Sequence, residues 1–374
     1  MPPGWADAAA VAGALGLWLV VTWTAARSVG DPPWSTATWG RWDTGLYRQI
    51  AQEGYSLERC GPDSGLPPDD WCGTAGWFPG LPYGARVIGW AGFGVSTSMR
   101  VVAVGGHVAA YSLLWFGLLR RLDPRPAAVA AMALAAVFPA SVYQQALFPI
   151  SLVLAGFFAC LWAIRAERWW LAGVAGALAV VSYPSGIVLL AACVVVALDQ
   201  RVGDARRRVA AAAAVGLPLV AAYAAVLVNF ERTAGRWDAW FLVQAKYDYA
   251  AAWPWVTVWR QLRWALPDDE GVSWAIGAQT ALVLVVVALA VAAAVVHWSR
   301  LATVDLCCLA LVAALWLAPL TLGGQLSLYR AESLLVPAVV LVARLPSRVV
   351  VAVAVAATPV AFAMARLFFQ NVLI

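Results

Sequence analysis

Apolar stretches long enough to cross a membrane recur along this chain from one end to the other. About 20 helical residues cross the ~30 Å hydrocarbon core of a bilayer. Of the 374 residues, 63% are hydrophobic and 12% are charged, whereas charged residues make up about 25% of a soluble domain. The apolar runs are continuous Ala/Val/Leu segments, unlike the short alternating strands of a membrane barrel. The sequence therefore predicts an all-α polytopic membrane protein and excludes a soluble globular domain.

The placement of charge predicts how the spans are oriented. The chain has a net charge of +5, but its arginines concentrate in short connectors, as the positive-inside rule expects of cytoplasmic loops. These arginines are Arg120, Arg121, Arg125, Arg165, Arg168, Arg201, Arg206, Arg207, Arg208, Arg300, Arg344 and Arg348. We therefore expect a cytoplasmic N-terminus and no nucleic-acid partner.

Two long polar segments belong on the opposite, extracytoplasmic side. Residues 31–80 contain 3 Lys/Arg against 7 Asp/Glu, and residues 229–273 contain 5 against 6. The first loop extends to residue 98 through an amphipathic segment, 86–98, which is short and rich in glycine, so we place it in the outer interface. The first apolar run has no small-residue cleavage site before Asp31, and it therefore predicts a span rather than a signal peptide.

These assignments predict a single transmembrane domain, residues 1–374, with eleven spans. The predicted spans are 8–29, 99–119, 126–142, 146–164, 169–183, 184–198, 209–228, 274–297, 303–320, 331–344 and 349–369. Turns at Gln144-Gln145 and at residues 183–186 would then face outside. Irregular backbone at membrane depth needs protein or water to satisfy it, so these turns could line a cavity.

The cysteines fall into two groups. Cys60 and Cys72 lie in the first external loop with 11 residues between them, in an oxidising compartment where a disulfide is favoured. The other four lie in apolar spans and are expected to be inert packing residues. They are Cys160, Cys193, Cys307 and Cys308.

We expect no metal cofactor. The chain has only two histidines, His107 and His297, and neither lies near a cysteine pair or a carboxylate cluster in the sequence. His107 stands alone in an apolar span and is expected to be a hydrogen-bonded core residue rather than a proton relay. The acidic pairs at 69–70 and 268–269 are flanked by proline and predict solvated turns rather than metal ligands.

The tetrapeptide Gly-Arg-Trp-Asp occurs twice, at residues 40–43 and 235–238, near the start of each long loop. Tryptophan concentrates in the same regions, with 13 of the 22 in or beside the two loops. Most of them fit an aromatic belt at the headgroup level. The alternative is that some, above all Trp42, stack on a sugar ring or a prenyl chain. Asp43 could be a functional acid, or it could pair with Arg41 or cap the following helix.

The surroundings of the first copy resemble a known enzyme family. Residues 41–55 begin with Arg-Trp-Asp and end with Gly-Tyr, and residues 76–82 read Gly-Trp-Phe-Pro-Gly-Leu-Pro. This pattern resembles the first luminal loop of the type C (GT-C) glycosyltransferases, most closely the second mannosyltransferase of glycosylphosphatidylinositol assembly and its bacterial relatives. Residues 239–254 are similar to that family's Ala-Phe-x-x-Ala-Gln segment and downstream proline, and residues 328–337 to the start of a late transmembrane helix.

The chain also departs from the family pattern. Where relatives carry Pro-Glu-Ser, it has Pro149-Ile150-Ser151, and where many have Arg before Gly, it has Tyr-Pro-Ser-Gly at 183–186. These departures leave the acceptor and the donor sugar open.

The resemblance implies a GT-C fold and an inverting transferase that moves mannose from polyprenyl-phosphate mannose to a cell-envelope glycolipid or glycan. One carboxylate takes the proton of the acceptor hydroxyl, and cations stabilise the phosphate leaving group. Asp43 is the candidate base, and Arg330 is the candidate phosphate clamp because its planar fork matches phosphate oxygens. Further candidates are Tyr329, Lys246 and Gln244 for the donor phosphate or lipid, and Arg41, Trp42, Tyr183, Ser185 and Gln144 for the sugar or acceptor.

Other interpretations stay open at this point. Asp238 shares the motif but not its downstream context, and we expect it to be a structural cap; Arg330 could be an interfacial arginine that snorkels. The competing function is a lipid or glycolipid transporter or flippase, whose halves often repeat, and a third class is a non-catalytic scaffold. Against a transporter, the sequences after the two motif copies diverge at once. We expect a monomer surrounded by membrane lipids. The high Ala, Val, Arg and Trp usage is typical of GC-rich bacterial genomes, so we expect the protein in a bacterial plasma membrane.

Overall fold

The computed structural model describes residues 3–62, 65–123, 125–247, 250–266, 274–323 and 328–373, and its regular structure is almost entirely helical. The α-helices are α1 (Pro3–Ser28), α2 (Thr44–Glu53), α3 (Gly80–Gly89), α4 (Val95–Leu113), α5 (Arg125–Ala136), α6 (Ile150–Arg165), α7 (Trp169–Ser182), α8 (Leu190–Leu198), α9 (Ala205–Ala234), α10 (Ala239–Ala245), α11 (Pro254–Arg263), α12 (Trp274–Val296), α13 (Thr303–Thr321), α14 (Leu328–Glu332), α15 (Ala338–Val342) and α16 (Ser347–Phe369). Two short antiparallel strands of two residues each, β1 (Glu58–Arg59) and β2 (Trp71–Cys72), pair to form a hairpin. The acidic pair at 268–269 lies outside the described residues.

Six helices are long and apolar enough to cross a membrane, by length and composition. They are α1, α4 with its continuation to Leu119, α9, α12, α13 and α16. Four shorter apolar segments, α5, α6, α7 and Pro184–Leu198, coincide with further predicted spans. The prediction of a helical, multi-pass membrane protein is confirmed at this level. The count of eleven spans stays a prediction.

The predicted span 331–344 is not one helix. It consists of the end of α14, a 3-10 turn at Ser333–Leu335 and the short helix α15, which follows Pro337. Proline has no N–H to donate and disrupts the preceding helical turn. Every residue of α15 is buried, so other parts of the protein surround this segment.

A second irregular segment, residues 137–149, connects α5 to α6. The sequence predicts only a tight turn at Gln144-Gln145. Instead, α5 ends at Ala136 and α6 begins at Ile150, because Pro139 and Pro149 interrupt the helical backbone between them. All of its residues are buried. Its backbone is bonded to other elements: the N–H of Leu147 donates to the carbonyl of Trp39 at 3.1 Å. Irregular backbone therefore lies inside the protein, as a membrane environment requires.

Glycines allow α6, α7 and α9 to pack closely. A Cβ atom at Gly156 of α6 would lie 2.7 Å from the backbone nitrogen of Ala179 in α7. One at Gly173 of α7 would lie 2.8 Å from the carbonyl oxygen of Ala214 in α9. Small residues at such contacts are the usual way for membrane helices to approach each other. Helices α6, α7 and α9 thus form a closely packed wall, and Tyr183 is the first residue after α7.

The first long loop is folded rather than extended. Helix α2 buries Thr44, Tyr47 and Ala51, whose spacing places them on one helical face. The β1–β2 hairpin is joined by a disulfide between Cys60 and Cys72, the pair that the sequence predicts. The amphipathic segment 86–98 consists of the end of α3, a turn, and the start of α4.

The second long loop starts later than predicted, because α9 continues past residue 229 to Ala234. Helix α10 then docks on the first loop, where the side-chain amide of Gln244 donates to the carbonyl of Gly76 at 3.2 Å. Helix α11 docks on the end of α13 through Thr257, whose hydroxyl donates to the carbonyl of Leu320 at 2.9 Å. The second loop therefore packs both on the first loop and on the end of α13.

Candidate functional site

Asp43 and Arg330 are 287 residues apart in the chain and form an ion pair. A guanidinium nitrogen, Nη1, lies 2.5 Å from the carboxylate oxygen Oδ2. The two side chains differ in access to solvent, with Arg330 8% exposed and Asp43 24% exposed. The pair thus presents a carboxylate at the surface and an arginine behind it.

The local backbone turns Asp43 toward Arg330. The preceding residue, Trp42, has a φ of 47°, a left-handed conformation that costs a non-glycine residue about 1–2 kcal/mol. Asp43 occupies the N-cap position of α2, yet its side chain makes no capping hydrogen bond. The helix-cap interpretation of Asp43 is therefore wrong, and its carboxylate is directed at Arg330 instead. Strain of this kind often accompanies functional positions.

Aromatic rings support the guanidinium of Arg330. Its carbon lies 4.7 Å from the ring centre of Phe148 and 5.5 Å from that of Tyr143. Both rings come from the buried segment 137–149. A cation over an aromatic face is attracted by the ring quadrupole, and more so when desolvated. The snorkelling interpretation of Arg330 is wrong, because the side chain is buried.

Tyrosines surround the ion pair. The ring of Tyr329 stacks on Tyr143 with centroids 6.1 Å apart, and Tyr183 lies within electrostatic range of both Arg330 and Asp43. Tyr47 lies in α2, outside the spans. Burial raises the pKa of its hydroxyl well above the ordinary value, and nearby Tyr183 and Asp43 add to that rise.

Lys246 brings a second cation toward the same carboxylate. It follows α10, and burial lowers its pKa, an effect that the negative charges of Asp70 and Asp43 oppose. The ammonium group is therefore within electrostatic range of Asp43 from the second loop. Of the predicted site residues, the structure brings Asp43 and Arg330 into contact, and Tyr329 stacks on Tyr143 beside Arg330. Tyr183 and Lys246 lie within electrostatic range of Asp43.

Two other predicted site residues, Arg41 and Gln144, have different contacts. Arg41 forms an ion pair with Asp31 and donates to the carbonyl of Phe369 at 3.1 Å, so it does not pair with Asp43. Gln144 is fully buried, and its side-chain oxygen accepts the hydroxyl of Tyr111 at 2.9 Å. Gln144 therefore lies inside the protein, within the buried segment 137–149, and its predicted place in an outward-facing turn that lines a cavity stays a prediction.

The remaining predicted positions lie at the edges of this region. Gln244 joins the two loops through Gly76, as described above. Ser185 is half-buried in the 3-10 turn Pro184–Leu189 that follows Tyr183. Trp42 is 41% exposed, so its ring is available to a ligand.

Asp238, in the second copy of the motif, has a local partner. Arg236 holds its carboxylate through two hydrogen bonds, each of 2.9 Å. These bonds from Arg236 lower the pKa of Asp238. The side chain makes no capping bond to α10, so the prediction of a side-chain cap is wrong. The pair lies at the protein surface, with the Arg236 side chain 48% exposed.

His107 behaves as a core residue. It is fully buried, and its Nδ1 atom lies 2.7 Å from the side-chain nitrogen of Gln145. The prediction of a hydrogen-bonded core histidine is confirmed. Among the described residues, no group of three or more His, Cys, Asp or Glu side chains is arranged to hold a metal ion.

Sequence reasoning missed the aromatic support of the site. Tyr143 and Phe148 look like ordinary apolar residues of two spans and their turn, and Tyr47 looks like part of an amphipathic helix. The one available signal is the pair of prolines, Pro139 and Pro149, which predicts irregular backbone between them.

The arrangement combines a reachable carboxylate with buried positive charge. A carboxylate at this position can accept a proton from a bound hydroxyl group. A guanidinium with five N–H donors can contact this carboxylate and an anionic ligand at the same time. The site is therefore suited to a reaction in which a proton is lost and an anion is released.

No model of a known protein family matches the chain, and no protein of curated function matches it in sequence.

Proposed function

We propose that the protein is an inverting GT-C glycosyltransferase. It transfers mannose from polyprenyl-phosphate mannose to a cell-envelope glycolipid or glycan at the extracytoplasmic face of the membrane. This proposal combines the resemblance of the loop motifs to GT-C enzymes with the meeting of Asp43 and Arg330. The observation that carries it is the contact between these two residues, which are 287 positions apart in the chain. Asp43 belongs to one of the motifs that resemble the family, and Arg330 belongs to another.

In this mechanism Asp43 is the general base. The acceptor hydroxyl oxygen attacks the anomeric carbon from the face opposite the phosphate, and its proton passes to the Asp43 carboxylate. The bond between the anomeric carbon and the phosphate oxygen breaks, and the electron pair leaves with the phosphate. The products are the inverted glycoside and the polyprenyl phosphate.

Arg330 stabilises the phosphate as its negative charge grows. Lys246 assists from the second loop, while Phe148 and Tyr143 hold the guanidinium in place. Before a donor binds, Arg330 is bonded to Asp43. A phosphate that takes over part of this guanidinium contact leaves the carboxylate free to act on the acceptor. Donor binding thereby precedes activation of the acceptor.

Trp42 and Tyr183 are proposed to contact the sugar or the acceptor. Both flank the ion pair, and Trp42 is exposed beside the carboxylate. An aromatic face packs well on the apolar face of a sugar ring. Ser185 lies farther along the same turn, at the end of the wall formed by α6, α7 and α9.

Sugar transfer from polyprenyl-phosphate mannose to lipid acceptors, with the full chain in vesicles, tests the proposal. We expect Asp43→Asn to lower the rate by about 10²–10⁴-fold, the usual contribution of a general base. Asp238→Asn is the matched control, because it makes the same change in the same tetrapeptide, and we expect a rate within about twofold of the unaltered protein. Full activity in Asp43→Asn, or no transfer by the unaltered protein with any polyprenyl-phosphate sugar, contradicts the proposal.

A further inference from the structure

A groove of about 680 Å³ lies between α1, α12 and α16, separate from the Asp43–Arg330 pair. Its walls are mostly apolar and include Val21 of α1, Ala275 of α12, and Phe362 and Ala363 of α16. Its volume is within the range of about 300–1,000 Å³ typical of small-molecule sites. None of the candidate site residues lines it.

The groove covers the depth of one membrane leaflet. On α16 its lining runs from Thr358 to Gln370, which at 1.5 Å per residue is about 18 Å along the helix axis. One leaflet accounts for half of the ~30 Å hydrocarbon core. The lining residues of α1 and α12, such as Thr24 and Trp274, also lie toward the ends of their helices that connect to the long loops. The groove therefore lies in the loop-side leaflet, with Trp274 at headgroup level.

A cation lies at the headgroup end of the groove. Arg366 lines it and is exposed, with the side-chain amide of Gln370 one helical turn farther along. Across the described ranges, no residue forms a hydrogen bond or an ion pair with the Arg366 side chain. An arginine presents several N–H donors in one plane and binds phosphate oxygens well.

We propose that this groove binds a glycerophospholipid of the loop-side leaflet, with an acyl chain between the three helices and an anionic phosphate at Arg366. The depth of the groove matches an acyl chain, which spans one leaflet, whereas a long polyprenyl chain exceeds it. This site is additional to the donor site of the proposed transferase and does not depend on that function.

Binding there would stabilise the support of Arg330. Between the lining residues Leu367 and Gln370, Phe368 packs on Tyr143 with ring centres 5.4 Å apart, and Phe369 packs on Trp39 at 5.2 Å. The carbonyl of Phe369 also accepts a hydrogen bond from Arg41. An occupied groove fixes the end of α16 and, through these contacts, the ring that lies against the guanidinium of Arg330.

Native mass spectrometry of the purified full chain, with dioleoyl-phosphatidylglycerol as the probe, tests the proposal. We expect one tightly retained lipid on the unaltered protein. Arg366→Gln is expected to lower its apparent affinity about tenfold, the usual effect of losing a charge-assisted hydrogen bond. Ala363→Trp, which fills the groove, is expected to abolish retention.

Matched controls are available on the same helix. Arg348→Gln removes an exposed arginine at the other end of α16, and Val355→Trp adds the same ring on an exposed face outside the groove. Both are expected to retain the lipid, which separates this site from lipid that merely surrounds the protein. If Ala363→Trp does not fold, as judged by its unfolding temperature beside Val355→Trp, the exposed Arg366→Gln variant decides alone.

Three results overturn the proposal. Equal retention by Arg366→Gln and Arg348→Gln removes the role of Arg366. Equal retention of dioleoylglycerol, which has no phosphate, removes the role of the headgroup. Displacement of the phospholipid by an equal concentration of a long polyprenyl phosphate shows that the groove belongs to a different lipid.

Discussion

The two Gly-Arg-Trp-Asp segments have the same four residues, but their charged side chains have different partners. In the second, Arg236 and Asp238 bind each other at the surface. In the first, Arg41 pairs with Asp31, and Asp43 pairs with a buried arginine 287 residues away. A short motif therefore does not fix its own contacts, and the fold around it decides which partner each charged side chain meets.

The backbone shows how the copies diverge. In the second copy the left-handed residue is Gly235, with a φ of 76°, where glycine has no Cβ to clash. In the first copy Gly40 has a φ of −97°, and the left-handed residue is Trp42 instead. Moving the left-handed turn two positions along the chain directs the following aspartate away from the arginine of its own motif.

The largest expected contrast between the copies is in catalysis. Arg330→Gln should lower the rate of sugar transfer about 10²–10³-fold, because a positioned donor to the developing charge is lost. Arg236→Gln removes the partner of Asp238 at the surface and should leave the rate within about twofold. Initial rates at saturating acceptor measure both. Similar losses in the two variants would show that the copies do not differ in function.

The next contrast is in stability. Asp43→Asn leaves the guanidinium of Arg330, which is 8% exposed, without a counter-charge, and we expect a loss of about 3 kcal/mol in the free energy of unfolding. Asp238→Asn should cost much less, because its pair is exposed and screened.

A double variant sharpens this stability contrast. Asp43→Asn combined with Arg330→Gln removes both charges, and we expect it to unfold at a higher denaturant concentration than Asp43→Asn alone. Chemical unfolding in mild detergent measures all three variants. Additive losses in the double variant would mean that the two side chains do not interact.

The sequence predicts the parts of this architecture that follow from local pattern. Runs of about 20 apolar residues predict the long helices. Cys60 and Cys72 lie only 12 positions apart in the same polar loop, which made their pairing predictable. Each of these signals is contained within one element or one loop.

The site itself depends on contacts that local pattern does not encode. Asp43 and Arg330 could be selected only through a resemblance, and nothing between them in the sequence specifies that they touch. Tyr143 and Phe148 support the arginine from a buried irregular segment, which apolar composition alone does not distinguish from a span. The same composition made the broken segment 331–344 look like a continuous helix.

A smaller contrast concerns backbone strain. Trp42 has a positive φ and Trp237 does not. If each Trp is replaced once by Ala and once by Gly, the difference in stability between the Ala and Gly variants should therefore have opposite signs at the two positions. Trp42→Gly should be more stable than Trp42→Ala by about 1 kcal/mol, because Ala keeps the Cβ clash. At Trp237 the Gly variant should be the less stable by about 0.5–1 kcal/mol. Because each comparison is between two variants that lack the ring, the loss of the indole cancels. The same sign at both positions would remove strain as the cause of the divergence.

The smallest expected contrast is the pH dependence of the exposed pair. Hydrogen bonds from Arg236 lower the pKa of Asp238, so the pair stabilises the folded state above the unfolded pKa of about 3.9. This contribution is lost as the pH falls through the lower, folded-state pKa. The difference in unfolding temperature between the unaltered protein and Asp238→Asn should therefore be small at pH 6 and decrease steadily as the pH falls below about 3.9. Because the pair is exposed, added salt should reduce the pH 6 difference as well. Arg236→Gln removes the same two hydrogen bonds but also the contact of its guanidinium with the Trp71 ring at 5.8 Å, so Asp238→Asn is the cleaner variant for this comparison. A difference that does not decrease between pH 6 and pH 3, or that is insensitive to salt, would show that Asp238 has a second partner, and the contrast with Asp43 would then be one of degree.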